Sequence, residues 1–153
     1  MSVKVDKVNS LATTGADLIV IPVHAKTMQK PLTLHPTLHD TCLYQYPLAY
    51  CHYKDMESLG KIALGDIVVS ERLDRATVVW LIGRGDIRRK FDLHAIVKAI
   101  IQIRDLDLHH THSIAFPAIG YYDSDRIDVK LVYAAVKKYL GDGLKPVDFI
   151  LNY

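Results

Sequence analysis

The 153-residue sequence lacks any long apolar run and has almost no excess of charge of either sign. No apolar stretch approaches the roughly 18 residues of a transmembrane helix, and the N-terminal residues lack the apolar core of a signal peptide. Lys and Arg number 19 against 17 Asp and Glu, a formal net charge of +2. Because proteins that hold duplex DNA through bulk charge are strongly basic, this balance argues against that class. We therefore expect a soluble, cytoplasmic protein without a membrane partner.

Cysteine is scarce as well. Cys42 and Cys51 are too few for a disulfide framework, and we expect them to be reduced. The eight histidines include clusters in segments 35–39 and 109–112. Neither cluster has the paired cysteines or the His-Glu-x-x-His frame that is typical of a zinc site. The sequence thus predicts neither a bound metal nor a cofactor.

Hydrophobic periodicity predicts strands that alternate with helices. The expected strands cover residues 3–8, 17–23, 66–70, 77–82, 113–117 and 147–151, and the expected long helices cover 91–106 and 128–140. Segment 24–60 is expected to hold two short helices. This order indicates βα units in one domain over residues 1–153. The fold class is therefore α/β, with a mixed, mainly parallel six-stranded sheet between two helical layers.

Some details of these elements are also expected from single residues. Pro22 lacks a ladder donor, so it should mark a strand end or a bulge. Pro47 should open one of the short helices and Gly60 should end it. Three apolar positions support this helix, namely Leu48, Cys51 and Leu59. Asp128 should cap the last helix, because its side chain can accept a hydrogen bond from the first turn.

Three loops, after Val23, Ile82 and Pro117, are the places where a ligand would bind, because parallel sheets bind ligands at the carboxyl ends of their strands. In the last of these loops, Gly120 allows an anion to approach backbone N–H groups, and the two tyrosines that follow could enclose a sugar or a base. A tight turn is the alternative interpretation. The loop at 83–90 has two glycines and four basic residues, which is typical of an anion-binding nest or of a solvated turn.

Residues 113–120, Ser-Ile-Ala-Phe-Pro-Ala-Ile-Gly, resemble the macrodomain segment that enters the second phosphate-binding loop of that family. Residues 17–20 resemble the family's Asp-Ala-Ile-Val strand, and residues 60–69 resemble the stretch before its third and fourth strands. The resemblance spans nearly the whole chain. It implies a three-layer α/β/α fold that binds ADP-ribose, a related NAD-derived nucleotide or an ADP-ribosylated macromolecule. Some members hydrolyse ADP-ribosyl links.

The chain departs from the family pattern around the ligand. Ile-Pro-Val-His at 21–24 stands where the family has Asn-Ala-Ala-Asn, so both asparagines that contact the distal ribose are absent. Residues 25–31 replace the glycine-rich loop, and two tyrosines follow Gly120 where a Gly-x-Gly pattern is expected. Asn9 or Ser10 occupies the position of the adenine-selecting Asp.

Asp125-Arg126 resembles the Asp-Arg pair of the terminal ADP-ribose glycohydrolases and the DNA-ADP-ribose antitoxins, which also lack the Asn-Ala-Ala-Asn motif. In that branch a lysine attacks the ribose carbon and the Asp assists. The resemblance therefore implies that Asp125 is a catalytic acid or base of an ADP-ribosyl hydrolase. The lysine position falls near Thr37, so Lys26 or Lys30 would have to serve from a different loop position.

The family resemblance implies a cleft in which Gly120 and nearby N–H groups hold phosphate and a tyrosine packs on the distal ribose. The residues expected to bind substrate are His24, Ala25, Lys26, Gly83, Arg84, Ile119, Gly120, Tyr121, Tyr122 and Asp123. The alternative is a degenerate macrodomain that binds a protein or single-stranded RNA instead. The densest aromatic stretch, Tyr44, Tyr46, Tyr50 and Tyr53, would then stack on bases or pack on the sheet.

Overall fold

The computed structural model describes residues 3–6, 15–25, 45–86, 89–106, 112–141, 143 and 145–151. The elements within these ranges are β1 (Val3–Asp6), β2 (Leu18–His24), α1 (Pro47–Ser58), β3 (Ile67–Ser70), β4 (Thr77–Arg84), α2 (Leu93–Arg104), β5 (Ile114–Pro117), α3 (Val129–Leu140) and β6 (Val147–Ile150). A 3-10 turn at Asp123–Asp125 lies between β5 and α3. The described order of elements therefore follows the alternation that the sequence predicts.

The described strands form one six-stranded sheet in the order β1-β6-β5-β2-β4-β3. All neighbours are parallel except β3 and β4, which form an antiparallel hairpin. Alternate residues of β2 point to opposite faces, so Leu18 and Val20 join the core under α2 and α3, and Ile19 and Ile21 join the core under α1. The predicted three-layer α/β/α fold with a mixed, mainly parallel sheet is confirmed for these residues.

β2 runs through the middle of the sheet, and all seven of its residues are buried. This is why it reads as a continuous apolar run, since a strand covered on both faces needs no polar side. Pro22 pairs with Leu81 inside the strand, and the irregularity in the β2–β4 ladder comes one residue later, between Val23 and His24. The ladder to β5 covers only Leu18 and Ile19 of β2. On that side the ladder therefore needs no donor from Pro22.

α1 begins at Pro47, which suits the first helical turn because its fixed φ is helical and it lacks only an N–H that would be unpaired there. Gly60 follows the helix with a φ of +66°, as expected of a stop. The three apolar residues that suggested this helix are exposed, namely Leu48, Cys51 and Leu59. Ala49 and Tyr53 form the buried face instead. The second short helix expected in segment 24–60 lies outside the described residues.

The N-terminus of α1 is capped from a distant part of the chain. Asp74, in the turn between β3 and β4, accepts hydrogen bonds from the N–H groups of Leu48 at 3.3 Å and Ala49 at 2.9 Å. Its negative charge also lies at the positive end of the helix dipole. The carboxylate thus ties the start of α1 to the β3–β4 hairpin.

We expect Asp74→Ala to lower the free energy of unfolding by about 1 kcal/mol, the usual cost of removing a helix cap. Urea denaturation followed by fluorescence measures this, because Trp80 is the chain's single tryptophan and is fully buried. Asp55→Ala is the matched control, since it removes an exposed carboxylate from the same helix. Equal losses in the two variants would contradict the capping role.

α2 and α3 begin at aspartates that cap them directly. Asp92 accepts a hydrogen bond from the N–H of Ala95 at 3.1 Å, and Asp128 accepts one from the N–H of Lys130 at 2.9 Å. The cap predicted at Asp128 is thus present. Among the described residues, no helix combines the length and the apolar character that crossing a membrane requires.

Candidate functional site

A crevice opens in the hydrogen-bonding pattern between β2 and β5. Their ladder covers two residue pairs, Leu18 with Ile114 and Ile19 with Ala115, whereas β2 pairs with β4 to its end. From β2 the chain continues to β3 and β4 on one side, and it then crosses over to β5 on the other. A reversal of this kind marks the point where open α/β sheets bind their ligands. The candidate site therefore lies at the carboxyl ends of β2, β4 and β5.

The ends of β2 and β4 bring four of the expected binding residues together. His24 pairs with Arg84 across the ladder, and the N–H of Ala25 donates to the Arg84 carbonyl oxygen at 3.0 Å. Gly83 precedes Arg84 and is buried. Lys26, Lys30 and Thr37 lie outside the described residues, as do the Asn9 and Ser10 positions.

The loop after β5 depends on a glycine at position 120. Gly120 has a φ of +102°, a conformation that L residues rarely adopt. A Cβ atom there would lie 2.6 Å from the Ile127 carbonyl oxygen and 2.6 Å from the Val129 nitrogen. The glycine therefore allows the loop to pack directly against the start of α3. Ile119, the residue before it, is fully buried.

The buried side chain of Asp125 bonds back to the start of the same loop. Its carboxylate accepts a hydrogen bond from the Gly120 N–H at 2.9 Å, and the residue is only 8% exposed. In this structure, the N–H group expected to hold phosphate thus donates to Asp125 instead. The N–H groups of Ile119 and Tyr121 donate to the carbonyl oxygens of Pro117 and Ala118. Asp125 therefore stabilises the conformation of the loop through this hydrogen bond.

The two tyrosines after Gly120 face outward. Tyr121 and Tyr122 are each 38% exposed, and their rings meet edge to face with centroids 5.2 Å apart. Asp123, at the start of the 3-10 turn, is also exposed. The pair presents aromatic surface beside the candidate site. By contrast, Tyr46 and Tyr53 of the earlier aromatic stretch are buried, while Tyr44 lies outside the described residues.

Phe91 connects the two halves of the site, although the sequence did not single it out. A Cβ atom on Gly83 would lie 2.7 Å from the Phe91 ring, so the ring packs directly on that glycine. The Arg84 guanidinium lies 4.5 Å from the ring centroid, in cation–π contact. The Phe91 N–H donates to the Asp125 carbonyl oxygen at 3.4 Å. One buried ring thus fixes Arg84 relative to the loop after β5.

A cluster of polar side chains from α1 lies beside the end of β2. The Tyr53 hydroxyl lies 2.6 Å from the His24 carbonyl oxygen and 2.9 Å from Glu57 Oε2, and Lys54 Nζ lies 2.8 Å from Glu57 Oε1. Burial lowers the pKa of His24 below 6.5; Glu57 opposes this effect, and Arg84 adds to it. Burial also raises the pKa of Tyr53 far above its usual value. Both side chains are therefore neutral at pH 7.

Sequence reasoning missed Tyr53 and Glu57 as site residues, although one signal was present. The two residues are four positions apart on α1, so they share a helix face. For Phe91, the available signal was its place directly before the helix cap Asp92, near the carboxyl end of β4. In the described ranges, no three His, Cys, Asp or Glu side chains are placed so that they could hold a metal ion.

No protein-family sequence model matches this chain, and no curated protein matches it. Solved structures do. Thermosipho africanus DarTG, in complex with ADP-ribose, gives a TM-score of 0.78 at 14% identity, and the match covers 96% of this chain and 41% of that chain. The macrodomain of Thermus aquaticus DarG gives 0.77 at 14% identity and covers 97% of both chains. The macrodomain of Mycobacterium tuberculosis DarG gives 0.76 at 14% identity, covering 97% of this chain and 95% of that one.

This chain has the macrodomain fold. The resemblance read from residues 113–120 is thereby confirmed at the level of fold. The chain spans less than half of the DarTG chain but nearly all of the two DarG macrodomains. Within the macrodomain fold, the candidate site comprises the β2–β5 crevice, the end of β4 with Arg84, and the loop around Gly120.

Proposed function

We propose that this macrodomain binds ADP-ribose or a related NAD-derived nucleotide at the carboxyl ends of β2, β4 and β5. The observation that carries the proposal is the placement of Arg84. Arg84 ends β4 with its guanidinium against the Phe91 ring, and the Phe91 N–H donates to the carbonyl oxygen of Asp125, in the loop that bears Tyr121 and Tyr122. A solved protein of similar fold, Thermosipho africanus DarTG, is in complex with ADP-ribose.

The chemistry of the site suits a ligand with a diphosphate and two sugar rings. A guanidinium donates paired hydrogen bonds to phosphate oxygens and keeps its charge at any physiological pH. Exposed tyrosine rings pack against a ribose or a base, and their hydroxyl groups can bond to sugar oxygens. Arg84 therefore takes the role that free loop N–H groups have in an ordinary phosphate site.

Isothermal titration with ADP-ribose tests the proposal. We expect binding by the wild-type chain and a loss of about tenfold or more in affinity for Arg84→Ala, since a hydrogen bond to a charged group contributes about 1.5–3 kcal/mol. Arg75→Ala is the matched control, because it removes an exposed arginine next to β4 at the opposite edge of the sheet. No heat at millimolar ADP-ribose, or equal losses in both variants, would contradict the proposal.

Hydrolysis of ADP-ribosyl links with Asp125 as acid or base stays a prediction. Its carboxylate already accepts the Gly120 N–H, so Asp125→Asn and Asp125→Ala should be compared with wild type on an ADP-ribosylated substrate. Loss of turnover with unchanged ADP-ribose affinity would support a catalytic role. Loss of affinity and stability together would assign Asp125 to loop structure.

A second function, binding of single-stranded RNA or a protein without nucleotide, is favoured by one observation. The Gly120 N–H that would hold phosphate is occupied by Asp125, while Tyr121 and Tyr122 remain exposed. Stacking of bases on such rings contributes about 1–3 kcal/mol per base. Binding of a uridine oligonucleotide that is lost in Tyr121→Ala, with no response to ADP-ribose, would favour this function.

A further inference from the structure

The outward surface of α2 and α3 carries cations but no acids from the helices themselves. Neither helix contains an aspartate or a glutamate, although the whole chain has 17. The formal net charge of the chain is only +2, so the rest of the chain is acidic on balance. Five cationic residues of these helices are exposed and are called here the basic face, namely Lys98, Arg104, Lys130, Lys137 and Lys138.

Acidic side chains compensate the basic face on α2 but not on α3. The aspartates that cap the two helices lie at the helix starts. On α2, Arg104 Nε lies 2.9 Å from Asp105 Oδ1, and Lys98 Nζ lies 3.8 Å from Asp66 Oδ1. Among the described residues, no salt bridge involves the three lysines of α3. The charge available to a partner therefore lies mainly along α3.

Helix stability explains only part of this lysine pattern. Lys137 and Lys138 lie in the last turn of α3, where a cation is favourable because it opposes the negative end of the helix dipole. Lys130 lies in the first turn, where a cation is unfavourable for the same reason. A lysine at this position is therefore not one that the stability of α3 alone would select.

Apolar side chains lie among the cations on both helices. On α3, Leu131 is 50% exposed, and Ala134 and Lys138 share its face because they follow at the i+3 and i+7 positions. On α2, Val97 and Ile101 are four positions apart and partly exposed. Each helix thus presents a short apolar stripe next to its cations.

The ring of Tyr139 shows that the two stripes adjoin. Arg104 Cζ lies 6.0 Å from the ring centroid, and Lys138 Nζ lies 5.2 Å from the same centroid. Arg104 shares the α2 face of Val97, because it follows that residue at the i+7 position, and Lys138 shares the α3 face of Leu131. The two stripes therefore form one apolar strip between the helices, with cations beside it.

We propose that the basic face and the apolar strip bind an acidic amphipathic helix of a partner protein. Glutamate or aspartate side chains of that helix would pair with the lysines of α3, because complementary charges select and orient partners. Its apolar side chains would cover the strip, as in other complexes in which a helix lies in a groove. The small side chain of Ala134 lets the partner backbone approach closely. This proposal does not depend on ADP-ribose binding.

Two other anionic partners fit this surface less well. A nucleic-acid backbone would match the cations, but its phosphates and sugars would leave the strip without an apolar partner. An anionic membrane binds helices whose large apolar side chains enter the lipid, whereas Val97 and Ile101 are only partly exposed. A protein helix matches both the charge and the strip.

Fluorescence anisotropy with a labelled synthetic peptide tests the proposal. The peptide is an amphipathic helix of about 18 residues, about 27 Å long, with leucines along one face and glutamates beside them. We expect it to bind the full chain with a Kd below about 1 mM, and to bind more weakly as the salt concentration rises. The same peptide with lysine in place of glutamate is the matched control and should not bind. Absence of binding at about 1 mM acidic peptide, or equal binding of the two peptides, would overturn the proposal.

Charge reversal on the protein tests whether the peptide binds at the basic face. We expect Lys130→Glu combined with Lys137→Glu to lower the affinity for the acidic peptide about tenfold and to create affinity for the lysine peptide. Lys61→Glu combined with Arg75→Glu is the control, because it reverses two exposed cations outside the basic face. Equal losses in the two double variants would show that only the net charge matters, and this result would contradict the proposed surface.

Leu131 distinguishes a protein helix from the other anionic partners. Leu131→Ser removes apolar surface without a change of charge, so we expect it to lower the affinity for the acidic peptide about threefold to fivefold. A single-stranded oligonucleotide or vesicles of anionic phospholipid that bind more tightly than the acidic peptide would overturn the choice of partner. These titrations contain no nucleotide, so a failure of ADP-ribose binding would overturn the proposed function and leave this proposal standing.

Discussion

Gly120→Ala is expected to lower the free energy of unfolding by about 3–4 kcal/mol and to abolish ligand binding. The left-handed backbone costs about 1 kcal/mol or more for any L residue, and crowding in a packed region adds about 1–3 kcal/mol. The added Cβ would meet backbone atoms of Ile127 and Val129 at 2.6 Å, and backbone cannot turn away as a side chain can. Urea denaturation and ADP-ribose titration measure the two effects.

Two other glycines distinguish the cost of the left-handed backbone from the cost of crowding. Gly60 also has a positive φ, but a Cβ there meets no atom of the described residues within 4 Å, so Gly60→Ala should cost only about 1 kcal/mol of backbone strain. Gly85 lacks the positive φ, and among the described residues its Cβ would meet only the Arg89 side chain, at 3.9 Å, so Gly85→Ala should change stability by less than about 0.5 kcal/mol. A Gly120→Ala loss no larger than the Gly60→Ala loss would show that the loop can move away from α3.

Phe91→Ala is expected to lower the free energy of unfolding by about 3–5 kcal/mol, as is typical for truncating a buried aromatic ring. The ring is 4% exposed and fills the space above Gly83, so its removal leaves a cavity under the site. Arg84 also loses the surface that supports its guanidinium, and cation–π contacts contribute about 0.5–2 kcal/mol. We therefore expect weaker ADP-ribose binding in whatever fraction of the protein remains folded.

Phe91→Leu is the control for this substitution. Leucine keeps most of the apolar volume and the backbone N–H that donates to Asp125, so the stability loss should be below about 1.5 kcal/mol. It removes the aromatic face, and ADP-ribose affinity should therefore fall more than stability does. Unchanged affinity in Phe91→Leu would show that the ring does not orient Arg84 for the ligand.

The strands were predictable because buried strands have continuous apolar sequences. β2 and β4 are covered on both faces, and their unbroken apolar runs can scarcely fit another element. The helices α2 and α3 each showed a buried stripe, and Asp128 also marked the start of α3. α1 was harder, because its buried surface comes from tyrosines and an alanine, while its leucine and cysteine face water.

The candidate site was predictable only in part, because its parts are connected by contacts between distant residues. The carboxyl ends of β2, β4 and β5 followed from the order of elements alone. The bond from Gly120 to Asp125 is local, yet nothing in the composition of the loop says which acid will turn inward. Phe91 packs on Gly83, and the Tyr53 hydroxyl in α1 contacts the His24 carbonyl oxygen in β2. Neither contact could be inferred before the fold was known.

The short ladder between β2 and β5 affects how firmly the two halves of the sheet are joined. Three strands lie on each side of this seam, β1-β6-β5 and β2-β4-β3, and only two residue pairs join them through the ladder. The β2–β5 ladder therefore joins the two halves of the sheet only near the amino ends of these strands, on the side away from the proposed binding edge. A ligand that contacts Arg84 in one half and the Gly120 loop in the other would link the two halves at the carboxyl ends as well, so occupancy of the site and stiffness of the sheet would rise together.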